Sequence, residues 1–578
     1  MKKKALISLC SIAIPITSFV FAISASGCGS VSKKKNPIIY EIYPMSYQDT
    51  DNAGYHWSGW NNDRNEDYAM GDLKGVIQHL DYIKSLHVDY IWLAPIFTST
   101  FYDNGYDITD FYHVDPRFGT DNDLKELIRQ AKQRGLKIML DMVFNHTSTE
   151  CEWFTKWAAG DPQYADYYIG THSATQPDPE LNSFFQGKAW LKAPSGNNLW
   201  FFHLYTTMQA DLNWNNPKVV NELKHILKYY VNMGVEGFRF DSFEEVDKTL
   251  LPDAQAHPNN NRYDFTHGPN IDKMYHQIFQ GLPSNIYLLG EIDSNTGDDF
   301  YKHTDQTKTF DAVYTDDMNS FNSDLYNEDD QANINQIINL YNKLTTYSNL
   351  KGTIAKLFEC HDNHHPINRF VGWDNPNLRP YIATICNGLM ATLPGPNILY
   401  QGQEIGQANT LWDNIDDHRD IVDWVSYQAN GFTNKIKNAS RDNSRTPMAW
   451  DNSTYGGFTS GPQKPWLWGS STIQPDISMN VANEENDVNS PLNFTRELNN
   501  LIQKNVVFQD GNIQFDLYND STHIIAYTLN NGRQSFKVYC NFDTNVQPLN
   551  YDHNKVLLAN YSNNLNGLQP YQFLILQN

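Results

Sequence analysis

The 578-residue sequence contains little cysteine and little positive charge. Its six cysteines are scattered, without the spacing of a disulfide framework or the clusters of a zinc site. Asp and Glu outnumber Lys and Arg by 66 to 43, and the net charge of -23 argues against nucleic acid, which requires a basic patch. Without disulfides or zinc, the stability of the fold must come from a hydrophobic core. With 40% hydrophobic and 13% aromatic residues, the chain can build one in two or three domains.

Residues 1–27 have the pattern of an export signal. Lysines at positions 2 to 4 precede an apolar stretch over 5–25, and Ala25-Ser26-Gly27 forms a small-residue cleavage site before Cys28. This order resembles a bacterial lipoprotein signal, so we predict that Cys28 becomes the lipidated first residue of a protein anchored outside the cell membrane, with 28–36 as a tether. The alternatives are ordinary secretion and an uncleaved helix, because about 20 apolar residues can span a bilayer.

Strand-like and helical segments alternate from residue 38 onward, as in α/β proteins. The run 286–289 is apolar throughout, which favours a strand covered on both faces in a parallel sheet. Amphipathic helices are predicted at 121–134 and 217–233. Eight strands are predicted, at 38–43, 90–93, 137–141, 237–241, 286–291, 312–314, 353–358 and 397–400.

This alternation predicts a (β/α)8 TIM barrel made of residues 37–145 and 206–500. The interval 146–205 is longer than one helix requires and contains many aromatic, Gly and Pro residues, so we predict an inserted subdomain after the third strand. Residues 501–578 change to short strands separated by Asn and Gly turns, which predicts a C-terminal all-β sandwich domain.

Four short blocks each place a carboxylate at or near the end of an apolar run. They are LKIMLDMVFNH at 136–146, GVEGFRFD at 234–241, IYLLGE at 286–291 and FECHD at 358–362. In a closed barrel of parallel strands, the carboxyl ends of the strands form the catalytic face. We therefore expect these acids to converge on one pocket.

These blocks resemble the α-amylase family of glycoside hydrolases over nearly all of the chain after the signal. The resemblance extends to GDLKGV at 71–76, DNGYDITDFYHVDPRFGT at 103–120, DLNW at 211–214 and PGPNILYQGQEIG at 394–406. It implies a retaining glycosidase that cleaves α-glucosidic bonds by double displacement, without a cofactor for the chemistry. In that family pattern Asp241 matches the nucleophile, Glu291 the acid/base, and Asp362 the carboxylate that binds sugar hydroxyls and favours the distorted ring.

The resemblance also assigns residues around the three acids. His146 and His361 match histidines that bind the first glycone sugar, and Tyr106 matches the aromatic residue that stacks on it. Arg239 lies two residues before Asp241 on the same strand face and should keep it ionised. A fourth acid, Asp141, is expected to support this network.

One position departs from the family pattern. The family motif usually reads Asn-His-Asp where this chain has Cys360-His361-Asp362. The two functional positions remain, but the amide that could orient their neighbours is lost, so the geometry of the subsite could differ.

Substrate specificity depends on Asp103 and Arg445. The two resemble a pair in exo-acting α-glucosidases and oligo-1,6-glucosidases that contacts the non-reducing 4-hydroxyl and closes the pocket. Against this, the two could form a surface salt bridge, and HVDPRFGT and the export signal also suit an endo-acting amylase. A glucanotransferase or trehalose synthase would use the same machinery. A non-catalytic sugar-binding surface protein would be expected to lack at least one of the three acids, and all are present.

An acidic loop before GDLKGV predicts a structural calcium site. Asp63, Asn65, Asp67 and Asp72 supply oxygen ligands, many of them at alternate positions, as calcium loops do. The loop is longer than in the family and one residue out of step, so Asp49 is an alternative first ligand. The other alternative is a solvated acidic turn.

Overall fold

The computed structural model describes residues 35–578 apart from 57–65, 252–266, 294–296, 316–340, 343–344, 347–348, 350–351, 371, 373, 471–472, 517–522 and 562–565. The predicted signal peptide, Cys28 and most of the tether lie outside the described residues, as do Asp63 and Asn65.

Seven parallel strands form the central sheet. In chain order they are Ile38–Ile42, Tyr90–Leu93, Lys137–Met142, Gly237–Phe240, Tyr287–Glu291, Ala312–Tyr314 and Asn397–Tyr400. Each of the first six pairs with its sequence neighbour, and the seventh pairs with the first. These bounds agree with the predicted strands to within one residue.

The segment 353–358 closes this sheet into a barrel. Parallel bridges join Val313 to Ile354 on one side and Lys356 to Asn397 on the other. The backbone N–H of Ala355 donates to Val313 O at 2.8 Å, and that of Ile398 donates to Lys356 O at 2.8 Å. The segment thus takes the eighth position, and the predicted (β/α)8 barrel is confirmed.

The barrel interior is filled with side chains, as is usual for this architecture. Trp92, Met139, Leu289 and Tyr314 belong to one buried cluster, and they come from the second, third, fifth and sixth strands. The opposite strand faces pack against helices in a second, larger cluster. This arrangement leaves the polar chemistry to the carboxyl ends of the strands.

Helices alternate with the strands, and the two predicted ones are confirmed. Asp121–Gln133 begins with a capping box between Thr120 and Asp123. Pro217–Met233 begins with proline and ends at Gly234, whose φ of 112° suits glycine. The remaining described α-helices are Leu73–Gln78, Leu80–Ser85, Glu152–Ala158, Ile271–Phe279, Gly297–Tyr301, Arg379–Thr392, Ile421–Asn430, Asn434–Ala439, Val481–Glu484, Pro491–Lys504 and Val507–Asp510. Within the described part of the chain, none of the helices is long and apolar enough to cross a membrane.

An extra region follows the third barrel strand. It contains a three-stranded antiparallel sheet of Gly170–His172, Leu199–Phe202 and Trp190–Lys192. His146–Ser148 pairs with Gln209–Asp211, which brings the two ends of the region together at the barrel mouth. Two further hairpins, Phe97–Ser99 with Ile108–Val114 and Tyr55–His56 with Asp67–Tyr68, lie in earlier loops.

The C-terminal region is all-β, as predicted. Its described strands form one antiparallel sheet in the order Asn512–Phe515, Ile524–Asn530, Ser535–Asn541, Phe573–Gln577, Val556–Ala559. The sheet packs closely on the helix Arg379–Thr392. At Gly388 of this helix, the Phe573 ring is so near that an added Cβ would lie 2.5 Å from it. A hydrogen bond of 2.5 Å between Thr392 Oγ1 and Tyr527 OH adds a polar contact.

Candidate active site

Three acids at the strand ends share one buried arginine. Arg239 Nη1 donates to Asp141 Oδ1 at 2.6 Å and to Asp241 Oδ1 at 2.9 Å, and its Nη2 donates to Glu291 Oε2 at 2.6 Å. Its Nε donates to Tyr314 OH at 3.0 Å. The arginine is fully buried, so one guanidinium charge faces three carboxyl groups.

This imbalance of charge affects proton binding. Burial raises the pKa of Asp241 well above its usual range, and Glu291, Asp141 and Asp362 add to this rise, while Arg239 opposes it. Burial likewise raises the pKa of Asp141. One guanidinium cannot neutralise three buried carboxylates, so the cluster favours holding a proton, and the expectation that Arg239 keeps Asp241 ionised is not confirmed.

Asp362 has the opposite environment. His361 Nε2 lies 2.9 Å from its Oδ2, while Arg441 Nη1 and Arg445 Nη2 lie 2.9 and 2.7 Å from its Oδ1. Burial would raise the pKa of Asp362, but these three cations hold it well below its usual range. For His361, burial would lower the pKa, but Asp362 and Glu41 raise it to about 10. The pair is therefore an imidazolium and a carboxylate at neutral pH.

Tyr106 and His146 complete the inner wall. Tyr106 OH donates to Asp141 Oδ2 at 3.1 Å and lies 2.5 Å from His361 Nε2, and the two rings stack with centroids 5.2 Å apart. His146 Nε2 lies 3.1 Å from both the Tyr106 carbonyl and Gln209 Nε2. Burial lowers the pKa of His146 to about 4, so this imidazole is neutral at neutral pH.

A cavity of about 350 Å³ lies at the carboxyl end of the barrel, and the buried Arg239 and His361 contact residues of its wall without lining it. This volume lies at the low end of the usual range for small-molecule pockets. The three predicted catalytic acids therefore share one wall with Asp103, Tyr106 and His146. The other described residues of the wall are Phe184, Phe185, Tyr205, Gln209, Ser242, Glu244, Ile292, Asp293, Asp420, Val422, Asp423, Ala439 and Arg441.

The predicted pairing of Asp103 with Arg445 is wrong. Arg445 is 1% exposed and lies behind Asp362, where its Nε donates to the His361 carbonyl at 2.8 Å. The guanidinium beside Asp103 belongs to Arg441, with Nη2 4.0 Å from Asp103 Oδ1. Gln209 Nε2 also donates to Asp103 Oδ2 at 2.8 Å. Burial raises the pKa of Asp103 to about 6, although Arg441 opposes this.

Several site residues were missed from the sequence. Arg441 opens the same RDNSR segment as Arg445, so both arginines fit the motif equally well. Glu41 holds His361 Nδ1 at 2.5 Å, and a charged residue inside the apolar run 38–43 was its signal. Tyr205 OH lies 2.6 Å from Ser242 Oγ, but nothing in the sequence marks this long-range contact.

Cys360 takes over an orienting contact beside the site. Its Sγ accepts the backbone N–H of Asp362 at 3.4 Å and the side-chain N–H of Asn363 at 3.0 Å. The sulfur thus supplies an acceptor for the residue that follows His361.

The acidic loop brings together a different set of residues from the predicted one. Carboxylate oxygens of Asp49, Asp51 and Asp72 lie within 4.8 Å of one another. Burial raises the pKa of Asp49 to about 6, and the nearby charges of Asp51 and Asp72 contribute. Asp67 is exposed instead and lies 3.9 Å from His56 Nδ1, so it is not part of this cluster. In the described chain, no Lys or Arg forms a salt bridge with these three carboxylates. Three hard oxygen donors of this kind fit a calcium ion.

Comparison with known proteins agrees with this geometry. The alpha-amylase catalytic domain family matches residues 41–511. The chain belongs to the α-amylase family. It is a glycosidase of that family, with the barrel and the all-β C-terminal domain of its structural relatives.

Similar proteins cover nearly the whole chain. The trehalose-6-phosphate hydrolase of Escherichia coli K12 is 31% identical over 551 residues, with 89% of this chain and 91% of that protein covered. The oligo-1,6-glucosidase of Bacillus cereus is 28% identical over 576 residues, with 94% and 98% covered. The crystal structure of an isomaltulose synthase from Erwinia rhapontici NX5 superimposes with a TM-score of 0.80 at 30% identity, covering 94% of this chain and 98% of that one.

Proposed function

We propose that this protein is an exo-acting retaining α-glucosidase that removes terminal glucose from malto- or isomalto-oligosaccharides. The observation that carries the proposal is the cavity of about 350 Å³, with Asp241 and Glu291 on its wall and Asp103 and Arg441 facing each other there. An endo-acting amylase needs an open cleft, which suits this geometry less well.

The proposed reaction is a double displacement. The Asp241 carboxylate attacks the anomeric carbon while Glu291, as a carboxylic acid, protonates the departing glycosidic oxygen, and the bond to the leaving sugar breaks. Glu291, now a carboxylate, then takes a proton from a water molecule that attacks the same carbon, and the bond from that carbon to Asp241 breaks. This second step releases glucose with its original anomeric configuration and returns the proton to Glu291.

The surrounding groups support each step. Arg239 contacts both reacting carboxyl groups, with Nη1 2.9 Å from Asp241 Oδ1 and Nη2 2.6 Å from Glu291 Oε2, and so can orient them toward the same bond. Asp362 is kept ionised and can bind sugar hydroxyls and stabilise positive charge in the ring at the transition state. The neutral His146 can hydrogen-bond a hydroxyl without adding a repelling positive charge.

The charges of the cavity favour an uncharged sugar over a phosphorylated one. Among the described residues of the wall, Arg441 is the single Lys or Arg, against eight carboxylates. It is already bonded to Asp420 and Asp362. The segments 252–266, 294–296 and 316–340, which follow the fourth, fifth and sixth strands, contain one Lys or Arg, Arg262.

Product analysis tests this proposal. The protein without residues 1–27 is incubated with maltoheptaose, isomaltose, trehalose and trehalose 6-phosphate. We expect glucose and maltohexaose as the only products early in the reaction with maltoheptaose, and slow turnover of the phosphorylated disaccharide. Early release of maltose, maltotriose or maltotetraose from maltoheptaose would contradict exo action, and a preference for trehalose 6-phosphate over trehalose would contradict the neutral substrate.

A second candidate is transfer or isomerisation on the same machinery, as in a glucanotransferase or a trehalose synthase. Its support is the crystal structure of an isomaltulose synthase bound to sucrose, which superimposes with a TM-score of 0.81. A sugar hydroxyl would then replace water in the second step. Isomaltulose from sucrose, or products longer than the maltoheptaose substrate, would favour this candidate over hydrolysis.

We also propose a structural calcium ion held by Asp49, Asp51 and Asp72, of which Asp72 was an expected ligand and Asp49 the alternative first ligand. The support is the mutual proximity of their carboxylate oxygens, which lie within 4.8 Å of one another. Calcium would neutralise this charge and tie the loop after the first strand to the helix Leu73–Gln78, whose N-cap is Asp72.

Lipid anchoring at Cys28, on the outer face of the cell membrane, remains our proposal for localisation, with secretion as the alternative. It is supported by the order of lysines, apolar stretch and small residues before Cys28. Fractionation of cells that express the wild type and Cys28→Ala tests it. We expect the wild type in the membrane fraction and the variant outside it, and an identical distribution would contradict the proposal.

A further inference from the structure

Arg441 is held more firmly by Asp420 than by any other described residue. Its Nε donates to Asp420 Oδ2 at 2.6 Å and its Nη2 to Asp420 Oδ1 at 2.7 Å, a two-pronged contact. A third bond runs from Nη1 to Asp362 Oδ1 at 2.9 Å. The distance to Asp103 is 4.0 Å, which is too long for a hydrogen bond.

Asp420 is itself fixed from the opposite side. Its Oδ1 accepts the backbone N–H of Val422 at 3.0 Å and so caps the helix Ile421–Asn430. Asp442 Oδ2 accepts the backbone N–H groups of Arg419 and Asp420 at 2.5 and 3.0 Å. With its side chain 1% exposed, the Asp420 carboxylate has little room to move.

We propose that Asp420 is a positioning residue that holds Arg441 at the distance from Asp103 at which both can contact the terminal sugar. Two-pronged arginine–carboxylate contacts fix orientation as well as charge. Without Asp420, Arg441 has Asp362 and Asp103 as its remaining anionic partners, and movement toward Asp103 would close the space between them. The inference rests on the proposed exo-glucosidase function and names a residue on which its glucose selectivity depends.

The substitution Asp420→Asn keeps the size of the side chain and the oxygen that caps the helix, but it removes the charge. We expect KM for isomaltose or maltose to rise about tenfold or more, since Arg441 loses a charge-assisted contact that orients it, while kcat changes less than threefold. Asp420→Glu, which keeps the charge, should raise KM less than Asp420→Asn does.

Asp81→Asn is the matched control, because Asp81 forms the same two-pronged contact with Arg134 on the surface, at 2.7 and 3.0 Å. We expect the control to leave KM and kcat unchanged. A KM for Asp420→Asn equal to that of the wild type would overturn the proposal.

A double-mutant cycle with Arg441→Lys separates positioning from general destabilisation. Lysine keeps the charge but cannot form the two-pronged contact. If Asp420 acts through Arg441, Arg441→Lys should raise KM in the wild type and have little further effect in Asp420→Asn. Additive effects would overturn the inference. Glucose affinity, measured by calorimetry in the same four proteins, does not depend on which bond the enzyme cleaves. Failure of the proposed exo hydrolysis can therefore be distinguished from failure of the proposed role of Asp420.

Discussion

Arg441 and Arg445 lie four residues apart in one segment, yet the structure predicts different consequences when each is replaced by glutamine. Arg441 lines the cavity with a side chain that is 18% exposed, whereas Arg445 is 1% exposed behind Asp362. Arg441→Gln should therefore act mainly on substrate binding. Arg445→Gln should act mainly on Asp362 and on stability.

The magnitudes follow from the contacts. A hydrogen bond from a charged group contributes about 1.5–3 kcal/mol, so losing the contact of Arg441 with a sugar hydroxyl should lower kcat/KM roughly 10- to 150-fold, mostly through KM. Removing one partner of a buried ion pair costs about 3–5 kcal/mol. Arg445→Gln should therefore lower the free energy of unfolding by about that amount and reduce kcat, because Asp362 loses one of its three cationic partners.

Steady-state kinetics with isomaltose and denaturant unfolding of both variants provide the test. The prediction is a larger KM effect for Arg441→Gln and a larger loss of kcat for Arg445→Gln. If Arg445→Gln raises KM more than Arg441→Gln while stability is unchanged, the assignment of Arg441 to the pocket is refuted.

Three further predictions concern pH, calcium and Cys360. Burial raises the pKa of Glu484 to about 8, with Glu404 contributing, so the folded state binds a proton that the unfolded state releases near pH 4.5. The bound proton on Glu484 therefore contributes stability that is fully present below about pH 4.5 and is lost as pH rises through about 8. In denaturant unfolding, Glu484→Gln should flatten this decline by at most about 1.4 kcal/mol per pH unit. An equal slope in the variant would contradict this. EDTA should lower the melting temperature of the wild type, calcium should restore it, and Asp51→Asn should be insensitive to both; no response in the wild type would contradict the calcium proposal. Cys360→Ala should lower kcat about fivefold relative to Cys360→Ser, because alanine leaves the Asp362 N–H without an acceptor. Equal kcat values for these two variants would contradict an orienting role for the sulfur.

The barrel could be predicted because its strands are short and mostly apolar. The run that ends at Glu291 shows this, since burial on both faces leaves polar residues only at the strand end. The same pattern placed Asp241 and Glu291 together, because carboxyl ends of parallel strands meet at one edge of the barrel.

The partner of Asp103 could not be predicted in this way. Arg441 begins a 3-10 turn and Arg445 follows it, and the direction of each side chain depends on packing against Asp420 and Asp362. Spacing along the chain does not contain this information.

In the acidic loop, Asp72 belongs to the carboxylate cluster but Asp67 does not, for a related reason. Asp49 and Asp72 are 23 positions apart, and the backbone N–H and hydroxyl of Thr50 connect them by bonding Asp72 at 2.7 and 2.9 Å. A motif with ligands at alternate positions favours neighbours in sequence, such as Asp67 and Asp72. Here the clustered carboxylates come from Asp49 and Asp51 before the loop and from Asp72 after it.

The most direct test of the account is to trap the glycosyl-enzyme. The protein is treated with a fluorinated glucosyl fluoride that slows the second step, digested and examined by mass spectrometry. The account predicts one added glucosyl group on the peptide that contains Asp241, and none on that peptide in Asp241→Asn. A label on Glu291 instead, or an unlabelled protein that releases glucose with inverted configuration, would contradict it.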